Sequence, residues 1–224
     1  MSESMKKRSF VVCICGTLAA GKTTLIRSLS ESLAGSAVLV FDEYEQFGQW
    51  PQDFGQWIAE GCDPGEVANP QLRADLQSLQ SGRAVCHPLS NQRIDPSPIT
   101  LLEDPFGRTR PDNAALIDLV LFLDLPWDLS VARMAQRALG LDRPEPQGSL
   151  EDASRDDLVA RIDSARQWLD DYISRREMYT TLSGTVRATA DVILDATQPA
   201  ATVLMKALEA IPSVNVDGRL PHES

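Results

Sequence analysis

No apolar run in this sequence approaches the length needed to span a bilayer, and no segment repeats another. A helical membrane span and a repeat architecture are thereby excluded. Basic residues are in deficit: 21 Lys and Arg stand against 32 Asp and Glu, a formal net charge of -11. Nucleic acids and anionic membranes call for a basic face, so neither is an expected partner. An anionic ligand must instead be met by locally concentrated arginine and lysine. Cysteine is sparse, and Cys13, Cys15, Cys62 and Cys86 lack the spacing of zinc ligands. They read as reduced thiols of a cytoplasmic protein, with Cys13 and Cys15 on one face of a predicted strand. The guanine-reading motif Asn-Lys-x-Asp is missing too, which counts against a GTPase.

What is present settles the class. Gly16-Thr17-Leu18-Ala19-Ala20-Gly21-Lys22-Thr23-Thr24 fits the phosphate-binding pattern G-x-x-x-x-G-K-[ST] at every position. It follows an apolar run, Phe10 to Cys15, and precedes a helical pattern starting near Lys22. Backbone N–H groups of Gly16 to Thr24 would curl around phosphate oxygens, and the helix behind them would turn its positive end to the anion. Lys22 can reach the β- and γ-phosphates, and the Thr23 hydroxyl can ligate Mg²⁺. Lys6, Lys7 and Arg8 before the apolar run imitate a secretion signal. The run ends at Gly16 and enters the phosphate loop directly, so it reads as a core strand.

Further apolar runs lie at Ser36 to Phe41, Ile99 to Leu102, Leu119 to Leu125 and Ala190 to Leu194. Helical stretches separate them, at Gln71–Gln80, Leu129–Leu139 and Asp156–Met178. Near-continuous apolar strands alternating with helices predict a parallel sheet covered on both faces. The expected fold is therefore α/β, a three-layer P-loop NTPase built on a parallel sheet. One domain should span 1–213, with a substrate cap inserted at about 50–98 and a short lid at about 137–155. Residues 214–224 read as a flexible tail.

Ligands of such sheets bind beyond the carboxyl ends of the strands. Asp42, at the end of the second predicted strand, is the candidate base for an acceptor hydroxyl. Strand alternation would turn Glu43 the other way. Glu103, after Ile99–Leu102, is the favoured metal ligand, with Asp104 as the alternative. Asp195 also ends a strand but has no assignable place. Arg133 and Arg137 share a helix face, and Arg143 follows in the lid; their guanidinium groups could close over the phosphates. Arg108 and Arg110 are weaker candidates for the substrate side. His87 and His222 receive no role.

The order of these segments resembles the uridine kinase and phosphoribulokinase-like P-loop kinases. The resemblance is carried by Gly16–Thr24, Phe41-Asp42-Glu43-Tyr44, Asn69-Pro70-Gln71-Leu72, Ser81-Gly82-Arg83-Ala84-Val85 and Leu102-Glu103. It continues through Ile117 to Asp124, Ala132-Arg133 with Arg137, Tyr179, and Ala190 to Leu194, and so covers most of Phe10 to Ile211. It implies phosphorylation of a small-molecule hydroxyl by ATP with Mg²⁺, with Asp42 as base, Glu103 near the metal, and Arg133, Arg137 and Arg143 at lid positions. Acceptor candidates are nucleosides, sugars and pantothenate-like alcohols. The chain departs from the uridine kinase pattern in the cap, where Cys86-His87-Pro88-Leu89-Ser90-Asn91 lacks the Tyr-Asp pair. It departs again where Asp104-Pro105 follows Glu103 in place of glycine. The alternative expectation is a regulatory nucleotide switch without a small acceptor.

Overall fold

A computed structural model describes residues 8–33, 35–141 and 154–212. Arg143 and most of the expected lid lie outside the described residues, as does the expected tail. In chain order the elements begin with β1 (Phe10–Gly16), α1 (Lys22–Ser32) and β2 (Ala37–Val40). A 3-10 turn, Phe41–Phe47, leads to α2 (Phe54–Ala59), α3 (Pro70–Gln80), and a hairpin of β3 (Val85–Cys86) with β4 (Arg93–Ile94). Then come β5 (Ile99–Glu103), α4 (Pro111–Ala114), β6 (Leu119–Asp124), α5 (Trp127–Ala138), α6 (Arg155–Arg187), β7 (Val192–Asp195) and α7 (Ala200–Ala210).

The main sheet has the order β2-β5-β1-β6-β7, with every neighbouring pair parallel. The expected three-layer α/β P-loop fold is therefore observed. β1 lies at its centre, and Val11 to Cys15 are completely buried. A strand buried on both faces has no polar side to show, hence the unbroken apolar run. Its side chains alternate between two cores. Val11, Cys13 and Cys15 join the cap and α6, while Val12 and Ile14 join α1 and α7.

Register places the chemistry. Ile14 pairs with both Glu103 and Leu121, and Gly16 pairs with Leu123. On the other flank Val40 pairs with Glu103. The carboxyl ends of β1, β2, β5 and β6 thus finish side by side, with the phosphate loop leaving from the middle.

Three boundaries differ from expectation. β2 stops at Val40, so Asp42 stands on a 3-10 turn and not on a strand. The cap holds more order than a single helix, because Trp57 and Val67 are drawn into the core and Asn69 caps α3. The Asn69 side chain accepts from the Leu72 N–H at 3.1 Å and donates to the Tyr44 carbonyl at 2.8 Å, tying cap to turn. α6 runs nine residues beyond Met178 to Arg187 because Met178 and Val186 remain in the core. It starts from a capping box in which Ser154 and Asp157 satisfy each other's backbone N–H.

Beside β5 the cap is fastened by a buried ion pair. Arg110 and Asp104 are both fully buried and directly bonded. The guanidinium lies 5.2 Å from the Phe41 ring centroid and 5.2 Å from that of Phe106. Trp50 covers both rings edge-on or tilted. Removing one partner of such a pair leaves an uncompensated buried charge, at a cost of about 3–5 kcal/mol. Arg110→Ala should accordingly lower the thermal midpoint by about 10 °C in calorimetry. An unchanged midpoint would show that the pair contributes nothing.

Candidate functional site

The phosphate loop is shaped by a contact that excludes side chains. Gly16 holds φ at +143°, and a Cβ there would sit 2.4 Å from the Leu123 carbonyl oxygen. Gly21, at φ +94°, closes the loop and starts α1. Ala19 takes a left-handed conformation, φ 54°, which costs a non-glycine residue energy and is held by its surroundings. Those surroundings are specific. Thr17 N–H donates to Leu123 at 3.1 Å, Ser130 Oγ to the Leu18 carbonyl at 2.7 Å, and Arg133 to the Ala19 carbonyl at 3.3 Å.

Lys22, the first residue of α1, is folded back over the loop, its ammonium 3.4 Å from the Gly16 carbonyl and 3.5 Å from that of Thr17. Burial lowers its pKa, and the negative charges of Glu103 and Asp42 oppose that shift. Arg137 acts in the same direction as burial, so its charge reaches the same point. Glu103 is the mirror image: burial raises its pKa, Lys22 lowers it, and Asp42 and Glu43 raise it further. The Thr23 hydroxyl is 3.4 Å from Glu103 Oε2. Lys22, Thr23, Asp42, Glu103 and Arg137 therefore share one electrostatic site.

Other candidates fall elsewhere. Asp104 is held in its buried pair with Arg110, whereas Glu103 is the strand-end acid beside Thr23 and Lys22. Arg110 itself is enclosed, and Arg108 is spent on the Ile117 and Asp118 carbonyls and on Asp191. Neither arginine lines a substrate side. Arg133 bridges the phosphate loop to the Ala196 carbonyl, also at 3.3 Å. Asp195 now has a place: it accepts from the Thr197 N–H at 2.9 Å and from Gln198 at 3.0 Å, ordering the turn after β7. That turn borders a pocket of 220 Å³ lined by Gly21, Thr24, Arg133, Ala196, Gln198 and Val203, among others.

Sequence reasoning missed Glu43 and His87. On a 3-10 turn successive residues step by about 120°, so Glu43 is not sent to the opposite side from Asp42. Its carboxylate meets His87 Nε2 at 3.0 Å. Only the hairpin β3–β4 brings these two together. The one sequence hint was a histidine in the stretch where the Tyr-Asp pair is replaced.

Sheet order, loop geometry and the helix behind the loop define a P-loop nucleotide-binding domain. No protein-family model matches the chain. The uridine kinase of Ligilactobacillus salivarius (strain UCC118) is 22% identical over 144 residues, 59% of this chain and 68% of that protein. In this match, as in motif order, the chain resembles a uridine kinase. Among solved structures it resembles a sugar kinase from Janibacter sp. HTCC2649, with 18% identity, coverage of 90% and 93%, and a TM-score of 0.43. A shikimate kinase from Aquifex aeolicus vf5 shows 14% identity, coverage of 89% and 95%, and a TM-score of 0.37. Among the described residues no helix is long and apolar enough to cross a membrane.

The Gly16 contact yields a prediction. Gly16→Ala must push the loop off Leu123 or strain φ, at a cost of about 2–4 kcal/mol. Denaturant titration should show that loss, and an unchanged midpoint would mean the loop is looser than its geometry.

Proposed function

We propose that this protein is a kinase that uses ATP and Mg²⁺ to phosphorylate a hydroxyl group of a small metabolite. The convergence of Lys22, Thr23, Asp42 and Glu103 at one sheet edge carries this reading. The donor set fits Mg²⁺–ATP. Among the described residues no group of three or more metal-ligating side chains could hold an ion by itself. Mg²⁺ does not need one, being held by one or two protein oxygens together with phosphates and water. Thr23 and Glu103 are the residues that would hold it. The ion and the triphosphate, when bound, supply the transferable phosphoryl group and neutralise its charge.

The protein's own residues do the rest. The loop N–H groups other than those of Thr17 and Ala20, which are bonded within the protein, cradle the phosphates, and Lys22 stabilises the charge that develops during transfer. Asp42 stands exposed at the front of the cluster. There it orients the acceptor oxygen and takes its proton. Arg133, on the loop rim, and Arg137, near Lys22, would draw α5 over the phosphates and exclude water. Arg143 is assigned to the same closure. The pocket beside Gln198, which borders Gly21, Thr24 and Arg133, would take the nucleobase. Free thiols, buried at Cys13, Cys15 and Cys62 and exposed at Cys86, are compatible with the proposed cytoplasmic location.

Asp42→Asn should lower kcat by about 10²–10⁴-fold while ATP affinity stays within about threefold. Acceptor-stimulated ADP release and a nucleotide titration measure the two. Lost ATP binding, or unchanged turnover, would remove Asp42 as the base. If ATP binds tightly and no acceptor stimulates its turnover, a regulatory switch becomes the better reading.

Glu103 gives a pH signature. Its raised pKa means that, as pH falls, it takes up a proton earlier than an ordinary glutamate. At limiting Mg²⁺, nucleotide affinity should therefore decline on acidification, starting above the usual carboxylate range. Glu103→Gln should weaken binding and flatten that pH profile. A wild-type profile that Glu103→Gln leaves intact would exclude Glu103 as the ligand.

A further inference from the structure

We propose that Glu43, held by His87, reads a second hydroxyl of the acceptor, and that the acceptor is an uncharged compound carrying at least two hydroxyl groups. This rests on the kinase reading and extends it to substrate class.

The pair is built from two separate parts of the chain. Glu43 follows Asp42 on the 3-10 turn after β2, and His87 sits where the hairpin leaves β3. His87 Nδ1 accepts the backbone N–H groups of Leu89 and Ser90, both at 3.2 Å. With Nδ1 occupied as an acceptor, the ring proton belongs on Nε2, which faces Glu43 Oε2 at 3.0 Å. The imidazole thus fixes one carboxylate oxygen and leaves the other free to accept. The Glu43 side chain remains about one third exposed. Val40, just before the turn, pairs with Glu103, so Asp42 and Glu43 leave the sheet at the edge where Glu103 ends β5.

Charge decides the ligand class. Asp42, Glu43 and Glu103 line the acceptor side, and a carboxylate or phosphate ester placed among them would be repelled. The two arginines that follow β5 in the chain are committed elsewhere. Arg108 is tied to Asp191 and two carbonyls, and Arg110 is enclosed with Asp104. Hydroxyl groups, by contrast, donate to carboxylates. One goes to Asp42 and loses its proton on phosphorylation; another goes to Glu43 and stays intact.

The test is ADP release from Mg²⁺–ATP with glycerol, ribose and uridine, each set against an anionic counterpart: glycerate, ribose 5-phosphate and uridine monophosphate. The active acceptor is then repeated with Glu43→Gln, His87→Ala and His87→Gln, and with an analogue lacking one non-reacting hydroxyl. We expect the neutral acceptors to exceed the anionic ones at least about tenfold in kcat/KM. Glu43→Gln should raise the acceptor KM about 10–30-fold, as loss of a hydrogen bond to a charged group does, with kcat changed much less. His87→Ala should move KM the same way, and His87→Gln, which can still donate to Glu43, should restore part of it. The deoxy analogue should lose affinity in the wild type but little more in Glu43→Gln. Nucleotide affinity within about twofold of wild type shows that each variant is folded.

A preferred anionic acceptor, or an acceptor KM indifferent to Glu43→Gln while Asp42→Asn abolishes turnover, would overturn this assignment and leave the kinase reading standing. A wild-type protein that binds ATP but responds to no acceptor, neutral or anionic, would overturn both.

Discussion

Gly16 and Leu123 approach so closely that no side chain fits between them, and the rest of the site depends on this contact. β1 is the middle strand of the sheet and its last residue is the first of the phosphate loop. The chain can leave the sheet there only by passing over the β6 backbone. That turn aims the following N–H groups at one point and starts α1 directly behind them. Ser130 and Arg133 of α5 then brace loop carbonyls, so the nucleotide side is held by β6 and by the helix that follows it.

The electrostatics of the site follow from placing a lysine and a glutamate where water is scarce. Lys22 is destabilised as a cation by burial and Glu103 as an anion, and each partly relieves the other. Neither forms a close ion pair that would have to be broken before phosphate and metal could enter. A chain of net charge -11 thereby presents a cationic spot to a polyanion without a basic surface. The same acidity, concentrated at Asp42, Glu43 and Glu103, gives the acceptor side its opposite character.

The cap links stability to specificity. Phe41, Phe106 and Trp50 enclose Arg110, whose partner Asp104 directly follows Glu103. The residue after Phe41 is Asp42. One buried cluster therefore anchors the backbone that carries both Asp42 and Glu103. Tyr44 adds a second tie through its hydroxyl, 3.0 Å from Asp75 of α3.

The sequence by itself determined the nucleotide half of this protein. Gly16 to Thr24 carries its geometry in consecutive residues, and the apolar runs of β1, β5 and β6 specify a two-sided parallel sheet. Local chemistry suffices there, because a loop, its strand and its helix are contiguous. Boundaries were less accessible: β2 ends one residue early, because a 3-10 turn and a strand end look alike in a short apolar run. Tertiary structure alone decided the acceptor half. Strand-end position did not distinguish Glu103 from Asp104; the burial of Asp104 in an ion pair with Arg110 does. Arg108 and Arg110 had the composition of an anion site until Asp191, far along the chain, claimed the first and burial beside Asp104 claimed the second. Glu43 and His87 meet only because a hairpin folds back over a turn. No local pattern records such a contact, since its partners are chosen by packing and not by spacing along the chain.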